Sequence, residues 1–434
     1  MNNLIKPMET VVMMFAATKY FSNNEELTGV MDDIEEKISA KYKAKFIRVI
    51  DDYDYKSDIE GLEDRPVIMI PMSGSVQPGM LEAAEKFKAI SICPGYNDLV
   101  VSEKGKLLML KNNTAPAAMD VYAVLRRSNK IVEFFTDFES FDRLYNSARA
   151  VYRLKGSRVL LIGKTESWVI SATRNLDTIA SKVGIEVINK PLDDLKKVYD
   201  ETSSEEASEL YSNYIENNTE VVEPDDEALM NSFRLTKAIV KMMESYDCDG
   251  FAIACFDLLG KFNTTSCMAL SYLNDSHDHI GTCEGDLDSS VTLMLMKALT
   301  GKPGFMANPV VLPGDTIELS HCSAPLCMTG NKNDYTIRNH HESGIGVSPQ
   351  VNLQDGETVT LVRVGNEISE MNVLPGETLK GERLPVCRTQ ISVHVDDIRD
   401  YLDNSLGCHL VMTYGDYRKE LEYIGKLTGL KVTP

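Results

Sequence analysis

The sequence has little basic charge and no long apolar run. Lys plus Arg total 45 against 65 Asp plus Glu, which gives a formal net charge of −20. Nucleic acids and anionic membrane surfaces bind basic patches, so this balance argues against both as partners. No apolar run approaches the roughly 18 residues that a membrane-spanning helix needs. We therefore expect a soluble, cytoplasmic protein that handles small molecules.

Local nucleotide-binding motifs and a disulfide framework are also missing. No GxGxxG follows a predicted strand and GxxxxGK[ST] does not occur, so nucleotide binding has no local support. The nine cysteines are scattered and odd in number, which indicates reduced thiols in the cytosol. The N-terminus has only a short apolar part with little basic character, and we interpret it as a first strand rather than a signal peptide.

The beginning of the chain alternates strand and helix patterns, and 434 residues predict two or three domains. Short apolar runs predict strands at residues 10–17, 46–50, 67–72, 90–93 and 107–110. Helical patterns cover 24–42 and begin near Gln77 and Ala117. Strands that alternate with helices are typical of a doubly wound parallel sheet.

A second α/β region follows, with strands predicted at 158–163 and 184–188. Between them we predict a helix from Thr165 to Ser181 that carries Trp168, the single tryptophan. From Asp315 onwards the pattern changes to β. Predicted strands lie at residues 316–320, 345–351, 359–364, 368–373 and 390–395. These strands predict a small antiparallel barrel or sandwich.

The most informative stretch lies between these regions. An apolar run that ends at Cys283 is followed at once by Glu284, and residues 291–299 are apolar nearly all round, as a buried helix requires. A second extended run ends at Asn308. This pattern predicts a right-handed β-α-β unit with parallel strands. If the strands are neighbours, Glu284 and Asn308 lie at one carboxyl edge, where open α/β sheets bind ligands, and His321 arrives on the next strand.

Each candidate residue has an ordinary structural explanation when taken alone. A carboxylate after an apolar strand, such as Glu284, is more often a helix cap than a catalyst. Among the seven histidines, His321 and His409 end secondary elements beside small residues, where ligands occur, but structural histidines are equally common. The functional interpretation depends on the combination of acid, amide and imidazole, which indicates a metal or acid–base site.

At residues 267–327 and 405–431 the chain resembles the L-fucose/L-arabinose isomerase superfamily, especially its shorter fucose-isomerase-like members. The similar segments are CEGDLDSSVTLMLMKALTG, FMAN, ELSHCSAP and GCHLVMTYGDYRKELEYIGKLTGLKV. The resemblance implies an α/β fold of two Rossmann-like doubly wound domains followed by a C-terminal antiparallel β-barrel domain. We place these domains at residues 1–155, 156–302 and 303–434. A homo-oligomer, trimer or hexamer, and a divalent metal, usually Mn²⁺, are also implied.

The resemblance further assigns roles to four residues of this sequence. The family's metal-binding catalytic glutamate falls on Glu284, its second metal-binding carboxylate on Asn308, and its C-terminal histidine ligand on His409. The arabinose isomerases add a histidine that matches His321. The implied catalytic residues are therefore Glu284, Asn308 and His321, and the implied metal ligands are Glu284, Asn308 and His409.

Asn308 departs from the family pattern. Its amide oxygen can bind a metal, but the side chain cannot titrate and so cannot be the second acid–base group. Losing one positioned acid–base group typically costs ~10²–10⁴ in rate. Either one carboxylate does both jobs, or another acid stands in, or the reaction differs. The candidate substitutes are Asp286, Asp315 and Glu318.

The leading hypothesis is a metal-dependent aldose–ketose isomerase for a small sugar or modified sugar. A hard divalent ion would polarise the carbonyl and stabilise an enediol, and a nearby carboxylate would move the proton between two carbons. One alternative is a non-catalytic, sugar-binding or regulatory relative that lacks the second acid–base carboxylate. Another is an epimerase or lyase that acts on a sugar acid.

Overall fold

The computed structural model describes residues 4–98, 100–215, 219–276, 278–328, 330, 332 and 334–433, which form two compact units. The N-terminal unit comprises Lys6–Tyr152 and Lys419–Gly429, and the main unit comprises Arg153–Arg418 with short stretches near both chain ends. Within the described ranges, none of the helices is long and apolar enough to cross a membrane. The three-domain division at residues 155 and 302 stays a prediction.

The N-terminal unit is built on a parallel sheet. Its elements are β1 (Thr10–Ala16), α1 (Asn24–Ser39), β2 (Ala44–Ile50), β3 (Val67–Pro71), α2 (Gln77–Ala84), β4 (Ala89–Ile92), α3 (Glu103–Lys111), α4 (Thr114–Leu125), β5 (Ile131–Phe134) and α5 (Phe138–Leu154). The strand order β2-β1-β3-β4-β5 is that of a doubly wound sheet. Val12 and Met14 of β1 belong to one apolar cluster and Val11 and Met13 to another, so the central strand is covered on both faces.

The main unit begins with a second parallel sheet. Its elements are β6 (Arg158–Ile162), α6 (Leu176–Val183), β7 (Glu186–Lys190), α7 (Leu192–Glu201), α8 (Ser204–Tyr214), β8 (Glu220–Val221), α9 (Asp226–Ser245), β9 (Gly250–Ile253), α10 (Cys255–Phe262), α11 (Cys267–Asp275), β10 (Ile280–Thr282) and α12 (Leu287–Thr300). The sheet order is β10-β9-β6-β7. Helix α12 is buried along almost its whole length and ends at Gly301, whose φ of 68° closes the helix.

The rest of the main unit is largely antiparallel. Its elements are β11 (Phe305–Leu312), β12 (Thr316–His321), β13 (Tyr335–Arg338), β14 (Ser348–Val351), β15 (Thr358–Gly365), β16 (Glu370–Leu379), β17 (Thr389–Val395), α13 (Ile398–Asn404), β18 (Leu410–Tyr414) and β19 (Lys431–Thr433). Helix α14 (Arg418–Thr428) lies between β18 and β19 in the chain and belongs to the N-terminal unit. The strand order is β15-β18-β11-β12-β17-β16, and β16 pairs back onto β15. The six strands therefore form a closed barrel, and the predicted fold class is confirmed.

The predicted β-α-β unit around α12 is wrong. Strand β10 pairs in parallel with β9, whereas β11 pairs antiparallel with β12 and β18 in the barrel. Strand β11 continues to Leu312 and turns back through Gly314, which has a φ of 79°. This hairpin commits β11 to the antiparallel sheet, so Glu284 and Asn308 do not share a sheet edge.

Two shorter predictions also differ from the structure. Residues 107–110 lie inside helix α3 rather than in a strand, because Ser102 caps that helix by accepting a hydrogen bond from the Gly105 N–H. The helix predicted from Thr165 begins only at Leu176, after the cap residue Asn175. Trp168 therefore lies in a loop.

Candidate metal centre and active site

Glu284 lies in the turn between β10 and α12, in a left-handed backbone conformation with φ 57° and ψ 15°. A residue with a side chain occupies this region at a cost, so the surroundings must hold it there. The Glu166 N–H donates to the Glu284 carbonyl at 2.9 Å. At Gly285, where φ is 61°, an added Cβ would lie 2.4 Å from the Lys164 carbonyl oxygen. The close approach of these two backbone segments therefore requires glycine at this position.

Three of the four residues singled out in the sequence come together as candidate metal ligands. His321 ends β12, and His409 directly precedes β18. The candidate ligand atoms of Glu284, His321 and His409 all lie within 4.8 Å of one another. Glu284 Oε1 is 3.6 Å from His409 Nε2, and the two imidazole centroids are 6.1 Å apart. The three side chains thus surround one small volume.

The fourth residue, Asn308, lines the same pocket as Glu284 and His321. It lies on β11 opposite Ser320, the residue that precedes His321 on β12. The pocket has an empty volume of about 440 Å³, part of it open to solvent. Glu284 and Asn308 therefore share a pocket although their neighbouring strands belong to different sheets.

Asp286 orients His409. The Asp286 carboxylate is fully buried, and its Oδ2 is 2.8 Å from His409 Nδ1. A proton on Nδ1 donates to this carboxylate, which leaves Nε2 directed towards Glu284. Carboxylate–histidine pairs of this kind fix the orientation and raise the basicity of metal-binding imidazoles.

A buried arginine supports the Asp286 carboxylate. Arg363 on β15 is 1 % exposed, and its Nη1 donates to Asp286 Oδ2 at 2.9 Å and to the His409 carbonyl at 3.2 Å. The close contact leaves no room at Gly407, where a Cβ would lie 2.5 Å from Arg363 Nε. Asp286 also caps helix α12 by accepting from the Ser289 N–H at 3.1 Å. The Asp286 carboxylate thus contacts the N-terminus of α12, Arg363 of the barrel strand β15, and the His409 imidazole.

The charges around the cluster displace the pKa values of its members. Burial raises the pKa of Asp286, but Arg363 and His409 hold it well below its usual range. Burial likewise raises the pKa of Glu284, but the combined interactions with His409, His321 and the Trp168 N–H outweigh this and lower it. Burial lowers the pKa of His409, but its hydrogen bonds to Asp286 and Glu284 raise it well above its usual value. Burial lowers the pKa of His321 to about 3, so this imidazole is neutral.

Aromatic rings and thiols complete the pocket wall. Phe256 and His340 line the pocket, and Trp168 packs edge-on against Phe256 at a centroid distance of 5.2 Å. The Trp168 indole N–H donates to Glu284 Oε2 at 2.7 Å. Five cysteines also line the pocket: Cys255, Cys267, Cys283, Cys322 and Cys387.

Comparison with known proteins gives a distant relative. No protein-family model matches the chain. Sulfoquinovose isomerase from Clostridium sp. (strain MSTE9) is 26% identical over 201 residues, which are 43% of this chain and 44% of the relative. The resemblance recognised in the sequence is confirmed, and the match spans less than half of the curated relative's length.

The residues present suit the divalent metal that the resemblance implies. One carboxylate and two imidazoles form a mixed oxygen and nitrogen donor set, which divalent ions such as Mn²⁺ and Zn²⁺ accept. Asn308 offers an amide oxygen in the same pocket. The Asp286–His409 pair supplies the outer-shell orientation that metal-binding histidines usually have.

The three substitute acids weighed from the sequence do not line this pocket. Asp286 is engaged by His409 and Arg363. Glu318 lines a different pocket, where Ser392 donates to it, and Asp315 lies in the turn between β11 and β12. Glu342, which the sequence reasoning passed over, is the second carboxylate among the pocket-lining residues.

The sequence reasoning also missed Arg363 and the Glu284–Trp168 contact. Arg363 lies in the apolar strand pattern of β15, and a charged residue in such a run was a signal that a buried acid faces it. Trp168 carried no comparable signal, because the loop that brings it to Glu284 has no motif of its own.

Proposed function

We propose that this protein is a metal-dependent aldose–ketose isomerase that acts on a small sugar or modified sugar. The convergence of Glu284, His321 and His409, whose candidate ligand atoms lie within 4.8 Å of one another, carries the proposal. The distant relative named sulfoquinovose isomerase supports it, because that name describes isomerisation of a modified sugar.

The metal ligands in this proposal are Glu284, His409 and Asn308, with His321 as a further ligand or as a hydrogen-bond partner of the substrate. The metal is proposed to be Mn²⁺. A bound divalent ion would polarise the sugar carbonyl and stabilise negative charge on its oxygen. Asp286 and Arg363 hold His409 in the required orientation throughout.

The proton transfer is assigned to the pocket carboxylates. Glu284 would take the proton from one carbon and return it to its neighbour through an enediol. Asn308 cannot titrate, so a second acid–base group must come from elsewhere in the pocket. Glu342 is the carboxylate available there, and we assign the second role to it.

A direct assay tests this function. Purified protein with added Mn²⁺ is incubated with pentoses, hexoses, deoxy sugars and sulfoquinovose, and ketose formation is followed. We expect turnover of at least one sugar, and deuterium at the carbon next to the carbonyl when the reaction runs in D₂O. The proposal would be contradicted if none of the sugars were turned over and the substitution Glu284→Gln had no effect on ketose formation.

Asn308 favours one second candidate, a sugar-binding protein without catalysis. That protein would bind a sugar in the absence of metal. Calorimetric titration with sugar, with and without a chelator, measures whether binding depends on metal. The epimerase or lyase alternative is separated by product analysis with sugar acids. The proposed cytoplasmic location and a trimer or hexamer are tested by cell fractionation and by analytical ultracentrifugation.

A further inference from the structure

Trp168 combines an exposed ring with a hydrogen bond to a largely buried acid. Its side chain is 51% exposed, whereas that of Glu284 is 13% exposed. The indole N–H, the only hydrogen-bonding group of this side chain, donates to Glu284 Oε2 at 2.7 Å. An exposed indole could bond to water, so its direction towards Glu284 needs an explanation.

The loop that carries Trp168 is fixed to the Glu284 turn by several hydrogen bonds. Arg174 donates to the carbonyls of Thr165, Glu166 and Val169 at 3.0 to 3.3 Å and so closes the loop. The Glu166 N–H donates to the Glu284 carbonyl at 2.9 Å, and the Thr165 hydroxyl donates to the Gly285 carbonyl at 2.8 Å. These contacts between the loop and the turn therefore fix the positions of the Trp168 indole and the Glu284 carboxylate relative to each other.

The two carboxylate oxygens of Glu284 consequently have different surroundings. Oε2 receives the indole N–H, while Oε1 lies 3.6 Å from His409 Nε2. We propose that Trp168 is a positioning residue, which occupies Oε2 so that Glu284 offers Oε1 alone to a divalent ion. This inference rests on the metal site of the proposed function.

A single carboxylate oxygen favours some ions over others. Mg²⁺ requires nearly ideal octahedral geometry and takes one oxygen from a carboxylate, whereas Ca²⁺ accepts both oxygens in a larger, more flexible shell. The indole N–H thus disfavours Ca²⁺ relative to smaller ions at this site. Removing the N–H should free Oε2 and shift the preference towards Ca²⁺.

The test compares Trp168→Phe with the wild type in calorimetric titrations with Mn²⁺ and with Ca²⁺. Phenylalanine keeps an aromatic ring beside Phe256 but has no N–H. A hydrogen bond to a charged group corresponds to about ten-fold or more in an equilibrium constant, so we expect the Ca²⁺-to-Mn²⁺ affinity ratio to rise about ten-fold. Ile170→Ala is the matched control, because Ile170 lies in the same loop, is 85% exposed, and its removal keeps the N–H; its ratio should stay at the wild-type value.

The single tryptophan gives an independent measurement. Mn²⁺ should quench wild-type emission with the dissociation constant found by calorimetry, since the indole touches the ligand carboxylate. An unchanged affinity ratio in Trp168→Phe overturns the positioning role. A wild type that binds no divalent ion overturns both this role and the proposed metal site. A shifted ratio without turnover of any sugar supports the positioning role and removes the isomerase assignment alone.

Discussion

His409 Nδ1 and Asp286 Oδ2 lie 2.8 Å apart, and both side chains are almost completely buried. Arg363 donates to the same Asp286 oxygen at 2.9 Å. The buried guanidinium keeps Asp286 ionised, and the ionised carboxylate fixes which nitrogen of His409 faces Glu284. The orientation of a candidate metal ligand thus depends on a charge from the barrel strand β15.

Asp286→Asn should weaken Mn²⁺ binding by about 10–100-fold, because the imidazole loses its fixed tautomer and part of its basicity. Calorimetry measures this change directly. Asp288→Asn is the matched control, since Asp288 is equally buried but touches Arg363 and Thr173 instead of an imidazole. Equal affinities in Asp286→Asn and the wild type would remove the orienting role.

Glu284→Gln should lower kcat/KM by at least ~10² and weaken Mn²⁺ binding, because the variant loses both the ligand charge and the acid–base group. Glu318→Gln serves as the comparison. That glutamate is also buried but lines another pocket with Ser392, so its substitution should leave Mn²⁺ affinity unchanged. Steady-state kinetics and calorimetry on both variants check the expectation.

Gly285→Ala should disrupt the site, because the new methyl group would meet the Lys164 carbonyl oxygen at 2.4 Å and the turn would have to move. We expect loss of Mn²⁺ affinity and a lower denaturation midpoint. Gly356→Ala separates the steric effect from backbone strain, since Gly356 has a similar φ of 74° with open space around it. That control should cost only about 1 kcal/mol of stability.

Ionisation of Asp288 should lower the free energy of unfolding as the pH rises from 4 to 6. Burial raises the pKa of Asp288 to about 6, above its ordinary value of 3.8. In this window the folded protein keeps a proton that the unfolded chain releases, so unfolding becomes easier with rising pH. Relative to that of the wild type, the free energy of unfolding of Asp288→Asn should increase by roughly 3 kcal/mol at most between pH 4 and pH 7. Urea unfolding of both proteins at the two pH values measures the difference, and a constant difference would contradict it.

Asn308→Asp should tighten Mn²⁺ binding, because a negative oxygen replaces a neutral one in the pocket. If the wild type is an isomerase that uses Glu342, then Glu342→Gln should lower kcat strongly in the wild-type background and less in Asn308→Asp. Activity that appears only in Asn308→Asp would instead favour the sugar-binding alternative.

The sequence predicted the α/β and barrel layers because long periodic patterns report burial directly. Strands such as Thr10–Ala16 and the buried helix Leu287–Thr300 followed from apolar spacing and from glycine at the helix end. The four-residue run at 107–110 could not be assigned in this way, since so short a run fits a strand or one face of a helix. The structure places this run in a helix that Ser102 caps, and the spacing of apolar residues carries no information about that cap.

The residues of the candidate site were named from the sequence, but the way in which the fold brings them together was not. Glu284, His321 and His409 were named from the sequence, and they lie together. The expected route to this arrangement, a shared parallel sheet edge, was wrong, because the hairpin of β11 and β12 joins the barrel instead. The supporting contacts of Arg363 and Trp168 depend on side-chain packing between distant segments, which spacing along the chain does not encode.

Helix α14 belongs to the N-terminal unit, although the strands before and after it, β18 and β19, belong to the barrel sheet. Tyr423 of this helix completes the apolar cluster that contains Met8 and Val12, and the Ser147 hydroxyl donates to the Glu420 carbonyl at 3.1 Å. During synthesis, N-terminal domains usually fold first. Here the two segments of the N-terminal unit are separated along the chain by the main unit, so no single cut in the polypeptide yields both units intact.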